Sequence, residues 1–250
     1  LTKALARSFG LDFKSIHFTN DLLPSDLIGI NIYNSNKKRF EFQPGPIFSN
    51  ILLADEINRA SPRTQSALLE AMNNKEISVE GEAKKLPSPF FVIASQNPLD
   101  QIGTSPLPES QLDRFLMRIS LGCPSRESER EILKGNHKDP DKIKRILSIE
   151  DLLNIQLEIE KIKVSEAIFD YILDLIQETR KLKLGGLSTR AAKGILIASK
   201  SCAFLNSSQS VLPDHVQFIF SSVAEHRLDN GIKEEVSISK KIIRNVDAVR

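Results

Sequence analysis

The sequence predicts an α/β protein in which a parallel β-sheet core is followed by an all-helical C-terminal domain. Two continuous apolar runs, residues 51–54 and 90–94, are typical of strands that are buried on both faces of a parallel sheet. Between them, Ser61 and Pro62 mark the start of a helix, as an N-cap and a first helical residue. After Ser125 the strand signals stop and amphipathic helical patterns replace them.

Shorter patterns complete the first half of the chain. Leu1, Leu5 and Phe9 have helical spacing, and Gly10 follows as a helix stop. The other predicted elements are a strand at residues 15–19 and a hairpin at residues 76–86 that turns near Gly81.

The second half contains three predicted helices, the first of which is clearly amphipathic. Their predicted ranges are residues 165–183, 189–204 and 214–226. Because the strand signals end just before them, we place one domain boundary near Pro124. We expect an α/β core over residues 1–124 and a helical domain over residues 125–250.

The composition excludes several classes of protein. The 250 residues, 40% of them apolar and 26% charged, can bury a sizeable core, which excludes a disordered chain. No run approaches the roughly 18 apolar residues of a membrane helix, so we expect no membrane span. A formal net charge of +2 argues against a nucleic-acid binder. Two cysteines form neither a disulfide framework nor a metal motif, so we expect a cytoplasmic protein.

Polar residues follow both buried strands. Asp55 and Glu56 come directly after the first strand, and Asn97 lies shortly after the second. In open α/β sheets, ligands bind at the carboxyl ends of the strands. There, Asp55 can hold Mg²⁺ beside phosphates, directly or through water, and Glu56 can activate an attacking water. Asn97 can orient that water, because an amide donates and accepts without adding charge. Taken singly, surface acids at a strand end and an Asn-Pro turn explain these residues better.

Two arginines are candidates for neutralising charge on a transferring phosphoryl group, Arg114 and Arg190. For any single arginine, a solvated charge or a surface ion pair is the commoner explanation. Arg114 follows Asp113, so a local pair is an alternative for it. Arg190 lies at a predicted helix start, where the helix dipole does not favour a cation.

The other polar groups carry no predicted chemistry. The four histidines lack metal spacing and are interpreted as structural or solvated, and the two cysteines as small core residues. Residues 126–131 are predicted to form a solvated helical face. Two basic runs, residues 37–39 and 84–85, are predicted to lie in hairpin loops.

In combination, these motifs resemble the MoxR family of AAA+ ATPases. The resemblance is dense from Leu1 to about Ser128 and thinner across the helical half. The similar segments are residues 21–29, 42–48, 51–62 (with the Walker B strand), 65–72, 90–98 (sensor 1), 107–115 (arginine finger) and 187–191 (sensor 2). The family usually has Pro before the sensor 2 arginine, where this chain has Thr189.

The resemblance implies an AAA+ P-loop NTPase-type core with a helical lid, and it implies ATP and Mg²⁺ as cofactors. Asp55 would support Mg²⁺, Glu56 would activate water, and Asn97 would be sensor 1. Arg114 would reach the nucleotide of a neighbouring subunit, which implies a ring, typically of six subunits. Arg190 would contact the phosphates from the lid of its own subunit. The implied work is chaperone-like, on protein complexes or metal-cofactor assembly.

One family motif is not in this sequence. A Walker A loop, G-x-x-x-x-G-K-[ST], cradles phosphates in P-loop enzymes, and none occurs in these residues. Since the chain starts at Leu1 and not at a methionine, we expect the loop to precede Leu1. Removal of a signal peptide explains this start less well, because the first helix would then begin without a cap.

Two other functions are open. A non-catalytic AAA+ subunit would scaffold or regulate a ring without hydrolysing ATP. Another AAA+ branch, such as a magnesium-chelatase subunit or a DNA-acting motor, would share the same motifs, although the near-neutral charge argues against tight DNA binding.

Overall fold

A computed structural model describes residues 1–96, 105–136, 139–182, 186–229 and 237–248 of the chain. It divides into two compact units. The α/β unit comprises Leu1–Pro106 and Arg126–Leu152, and the helical unit comprises Leu107–Ser125 and Leu153–Arg250. The units thus interleave along the chain, which a single boundary near Pro124 does not describe.

Hydrogen bonds on both sides of residue 124 account for this interleaving. In the α/β unit, the amides of Ile146 and Leu147 both donate to the carbonyl of Ser8, over 2.8 and 3.1 Å. In the helical unit, the amide of Arg118 donates to the carbonyl of Ser222 over 2.8 Å. Each chain segment therefore belongs to the unit that completes its backbone hydrogen bonds.

Within the described ranges, seven strands form one parallel sheet and two hairpins, all in the α/β unit. They are β1 (Phe13–His17), β2 (Gly29–Asn34), β3 (Arg39–Pro44), β4 (Ile51–Asp55), β5 (Glu76–Val79), β6 (Glu82–Lys85) and β7 (Phe91–Ala94). The sheet has the order β1-β4-β7 with both pairs parallel, which confirms the predicted parallel core. Its central strand β4 is an apolar run, of which Ile51, Leu52 and Ala54 are buried.

The first strand differs from its predicted range of residues 15–19. It runs from Phe13 to His17, and its register against β4 pairs Phe13 with Ile51 and His17 with Asp55. Phe18, beyond the strand, is fully buried, and its amide donates to the carbonyl of Asp55 over 2.8 Å. Phe18 contributed to the prediction of a strand that extends to residue 19. It is buried as an apolar residue should be, but it lies just beyond the end of β1.

The two hairpins are β2–β3 and β5–β6. The second turns at Glu80 and Gly81, both with positive φ, which confirms the predicted turn near Gly81. Because this turn has only two residues, Lys84 and Lys85 lie within β6 and not in a loop. The prediction for those two lysines was wrong.

The two units together contain ten described α-helices. They are α1 (Thr2–Phe9), α2 (Pro24–Ile28), α3 (Pro62–Asn74), α4 (Glu109–Leu112), α5 (Arg126–Leu133), α6 (Ile149–Glu160), α7 (Glu166–Arg180), α8 (Thr189–Leu205), α9 (Pro213–Leu228) and α10 (Ile238–Asn245), counted over the described ranges. The helix α3 begins as predicted, since Ser61 accepts a hydrogen bond from the Thr64 amide over 3.3 Å. The exposed face predicted for residues 126–131 is confirmed, because α5 buries no residue.

The helical unit has its own apolar core, in which α7, α8 and α9 supply fully buried side chains such as Leu175, Ile195 and Phe220. These are the three helices predicted for the second half. Cys202 lies in this core as predicted, but Cys123 is exposed, so the prediction of a buried Cys123 was wrong.

Candidate functional site

The carboxyl end of β4 carries the two acidic residues of the predicted site. Asp55 is the last strand residue, and Glu56 follows in the left-handed conformation, with φ 55° and ψ 48°. Such a conformation is uncommon for a residue with a Cβ and is found where function or packing requires it. This conformation turns the chain sharply from the carboxyl end of β4 into a short 3-10 helix, Ile57–Arg59.

One serine joins this turn to the neighbouring strand. The Ser95 hydroxyl donates to Asp55 Oδ1 over 2.5 Å and accepts from the Glu56 amide over 2.9 Å. The Ser95 carbonyl also accepts from the Ile57 amide over 3.1 Å. Sequence reasoning did not single out Ser95, although it directly follows the second buried strand.

Two basic side chains face Glu56. His17 Nε2 and Arg59 Nε lie 3.2 and 3.1 Å from Glu56 Oε2, and His17 Nδ1 lies 3.6 Å from Asp55 Oδ2. His17 was predicted to be structural or solvated; its side chain is 53% exposed and lies beside both carboxylates. His17 ends β1, and the parallel pairing of β1 with β4 places it opposite Asp55.

The donor set suits a metal that is shared with a ligand. The described residues contain no group of three or more His, Cys, Asp or Glu side chains that could enclose a metal ion. The Asp55 side chain is 47% exposed, so its carboxylate remains accessible beside its serine donor. Magnesium in nucleotide sites uses one or two carboxylates together with phosphates and waters, and Asp55 fits that requirement.

Asn97, the predicted sensor 1 residue, lies outside the described residues. The first described range ends at Gln96, two residues after β7. The role of Asn97 therefore stays a prediction.

The two predicted arginines lie in the helical unit. Arg114 follows the short helix α4 and is half-buried, with its amide 3.1 Å from the carbonyl of Gln111. Arg190 lies in the first turn of α8, and its Nη1 is 3.8 Å from Asp113 Oδ2. The residue before Arg114 thus approaches Arg190, although 77 positions of sequence separate Asp113 from Arg190.

A buried basic pair on α9 lies against the same segment. Arg227 Nε donates to Asp113 Oδ1 over 2.9 Å, and His226 Nε2 lies 3.3 Å from the Phe115 carbonyl. Burial lowers the pKa of His226 to about 4, and the adjacent Arg227 guanidinium lowers it too. Sequence reasoning missed Arg227, since a single arginine in a helical pattern gives no signal.

Comparison with known proteins agrees with this architecture. A model of the ATPase family associated with various cellular activities (AAA) matches residues 1–117, and one of an AAA lid domain matches residues 178–245. Chaperone MoxR1 of Mycobacterium tuberculosis is 42% identical over 237 residues, which are 90% of this chain and 63% of that protein. Protein MoxR of Paracoccus denitrificans is 28% identical over 257 residues, which are 91% of this chain and 75% of that protein.

The chain belongs to the MoxR family of AAA+ ATPases. Uncharacterized protein YeaC of Bacillus subtilis is also 42% identical, over 91% of this chain and 72% of its own length. A solved crystal structure of a Cytophaga hutchinsonii protein has a TM-score of 0.86 and 39% identity, over 98% of this chain and 80% of that one. The chain thus spans 63% to 75% of the length of these three sequence relatives.

This MoxR-family chain shows no helix that is both long and apolar enough to cross a bilayer, within the ranges that the structure describes.

Proposed function

We propose that this MoxR-family protein binds and hydrolyses ATP with Mg²⁺. The observation that carries the proposal is the carboxylate pair Asp55 and Glu56 at the end of the central parallel strand. Ser95 orients one carboxylate, and His17 and Arg59 face the other. The carboxyl ends of parallel strands are where α/β folds bind their ligands, so the pair is suitably placed for phosphates.

Each carboxylate has its own role. Mg²⁺, when bound with ATP, supplies neutralisation of phosphate charge, and Asp55 would hold it directly or through water. Glu56 would take a proton from the attacking water or orient it. Asn97, near the end of the next strand, would position the same water against the γ-phosphate.

The arginines would act from two subunits. We propose that Arg114 reaches the nucleotide of the adjacent subunit in a ring, typically of six copies, and that Arg190 contacts the phosphates of its own subunit. Both guanidiniums would stabilise the charge that develops on the transferred phosphoryl group.

The cellular work we propose is chaperone-like action on protein clients, in the cytoplasm. It is supported by the relative that is named chaperone MoxR1. Hydrolysis would drive movement between units and between subunits, which would remodel a protein complex or assist metal-cofactor insertion.

The proposed ATPase needs a phosphate-binding loop, and residues 1–250 contain none of the Walker A type. Peptide mapping with intact-mass measurement on the native protein would read any residues that precede Leu1. A Gly-rich loop ending in Gly-Lys-Ser or Gly-Lys-Thr supports the ATPase. A native chain without it points to the scaffold subunit instead.

The direct test is Glu56→Gln in the full native chain. We expect kcat for ATP hydrolysis to fall by roughly 10²-fold or more, because the amide cannot accept the proton of water. ATP binding, measured by fluorescence titration, should be retained. The matched control is Glu70→Gln on the exposed face of α3, which should leave kcat unchanged. Hydrolysis by Glu56→Gln at the wild-type rate would contradict the proposal.

A further inference from the structure

The segment that carries Arg114 is held by one buried guanidinium. Arg227 Nη2 donates to the carbonyls of Phe115 and Asp113, over 2.6 and 3.2 Å. Its Nη1 donates to the carbonyl of Leu116 over 3.1 Å, and its Nε to the Asp113 carboxylate. The Arg227 side chain is only 6% exposed. The backbone on both sides of Arg114 is therefore fixed by a single side chain of α9.

The Asp113 carboxylate extends this attachment to the start of α8. The Ser188 hydroxyl, which caps α8, lies 3.0 Å from both Asp113 oxygens. Arg190, two residues further on, approaches the same carboxylate to 3.8 Å. A negative charge is favourable at a helix N-terminus, so Asp113 also compensates the cation in the first turn of α8.

A second attachment holds the end of the segment. Arg118 forms an ion pair with the buried Asp229, which is the residue that follows α9. Together with the backbone bond from Arg118 to Ser222, it fixes the segment to α9 at a point three residues beyond Phe115. The segment thus has side-chain and backbone attachments to one helix along its length.

We propose that Arg227 is the positioning residue of the arginine-finger segment, and that it makes Arg114 and Arg190 parts of one body through Asp113. The inference rests on the proposed function of these two arginines. Arg227 itself contacts no nucleotide in this scheme. Its role is to set the position of Arg114, so that movement of the helical unit moves both arginines together.

The chemistry of arginine is needed at this position. A guanidinium has five donors in a fixed plane, and Arg227 uses them for four carbonyls, including that of Val223, and one carboxylate. A lysine keeps the positive charge opposite Asp113, but its single ammonium group cannot reach all five acceptors. Arg227→Lys therefore separates the charge from the geometry.

The experiment compares Arg227→Lys with Glu225→Gln in the full native chain. Glu225 lies on the same helix and accepts hydrogen bonds from Ser237, Ile238 and Ser239 at the start of α10. Glu225→Gln therefore weakens contacts within the same unit, but at α10 and not at the segment that carries Arg114. For Arg227→Lys we expect kcat to fall by about tenfold with ATP affinity within about twofold of wild type, because small misplacements of a catalytic group are costly. Glu225→Gln should keep the wild-type kcat.

Hydrogen exchange supplies a readout besides activity. Arg227→Lys should accelerate exchange of the amides in residues 109–118, whereas Glu225→Gln should accelerate it near residues 237–245. If Arg227→Lys does not fold, Asp113→Asn is the milder variant, since it weakens the contacts to Arg227 and Arg190 and leaves the guanidinium in place. The same two readouts apply to it.

A double mutant decides whether Arg227 acts through Arg114. In the Arg114→Ala background, Arg227→Lys should lower the residual kcat by much less than tenfold, because the main group that it positions is gone. A further tenfold loss in that background would overturn the inference. An Arg227→Lys kcat equal to that of Glu225→Gln would also overturn it, provided that Arg114→Ala strongly lowers kcat. A wild-type kcat for Arg114→Ala would instead refute the proposed role of Arg114, and the inference with it.

Discussion

At the residue scale, the Ser95 hydroxyl contacts both acidic residues of the proposed site. It serves Asp55 as a donor and the Glu56 amide as an acceptor, so one group orients both acidic residues. A serine at a strand end is common, and nothing in its sequence context indicates this double role. Replacing a group that orients a metal ligand typically lowers metal affinity or activity by about 10- to 100-fold.

We predict that Ser95→Ala raises the Mg²⁺ concentration for half-maximal ATPase activity by about tenfold, because Asp55 loses the donor that orients it. The measurement is a Mg²⁺ titration at saturating ATP. Ser66→Ala, an exposed position on α3, is the control and should titrate as wild type. An unchanged titration of Ser95→Ala would show that the hydroxyl does not organise a metal-binding carboxylate.

At the scale of elements, α9 is the helix on which the helical unit is organised. It buries apolar residues such as Phe220 and Val223, yet its last turn carries the buried His226 and Arg227. Burial lowers the pKa of both side chains, and the guanidinium keeps its charge because Asp113 pairs with it. His226 is neutral in the folded protein near pH 7.

The pKa of His226 predicts how stability depends on pH. It is about 4 when folded and about 6.5 in an unfolded chain, so the unfolded state binds a proton first as the pH falls. The stabilisation is complete above pH 6.5 and is lost toward pH 4, by on the order of 3 kcal/mol. Arg227, Arg118 and Asp113 are the charged groups around this ring.

Urea unfolding of wild type and His226→Gln across this pH range would measure the effect. Glutamine can still donate to the Phe115 carbonyl but does not titrate, so its free energy of unfolding should fall less between pH 6.5 and 4. Every other titrating group is shared by the two proteins, so their difference isolates the histidine. Parallel curves would contradict the predicted pKa shift.

At the scale of the whole molecule, the proposed function needs more than one copy of the chain. The carboxylates of the α/β unit and Arg114 of the helical unit would act on the same nucleotide from different subunits. Mixed assemblies can test this arrangement, because two inactive variants can complement each other only across an interface.

We predict that Arg114→Ala and Glu56→Gln proteins each retain only a residual ATPase activity alone and regain activity when mixed. Random, non-cooperative mixing in equal amounts should give about one quarter of the wild-type rate, since each competent site needs one intact group from each variant. The measurement is steady-state ATP turnover, with assembly checked by light scattering. If both variants fold and assemble and the mixture stays inactive, Arg114 does not act in trans.

Local patterns in the sequence were sufficient to predict the parallel strands, the α3 cap, the three main helices and the acidic end of β4. Continuous apolar runs, caps and helical periodicity act over a few residues, so the chain itself reports them. The family resemblance added roles to Asp55, Glu56, Asn97, Arg114 and Arg190. Those roles stay predictions that the variants above would test.

Only the tertiary structure showed which side chains contact the predicted site residues and the segment that carries Arg114. Ser95 meets Asp55 across 40 positions of sequence, and Arg227 meets Asp113 across 114. A periodic pattern indicates which face of an element is buried, but it does not identify the partner that packs there. The pairing of strands decided the first contact and the packing of α9 the second, so His17, Ser95 and Arg227 emerged from the fold and not from the sequence.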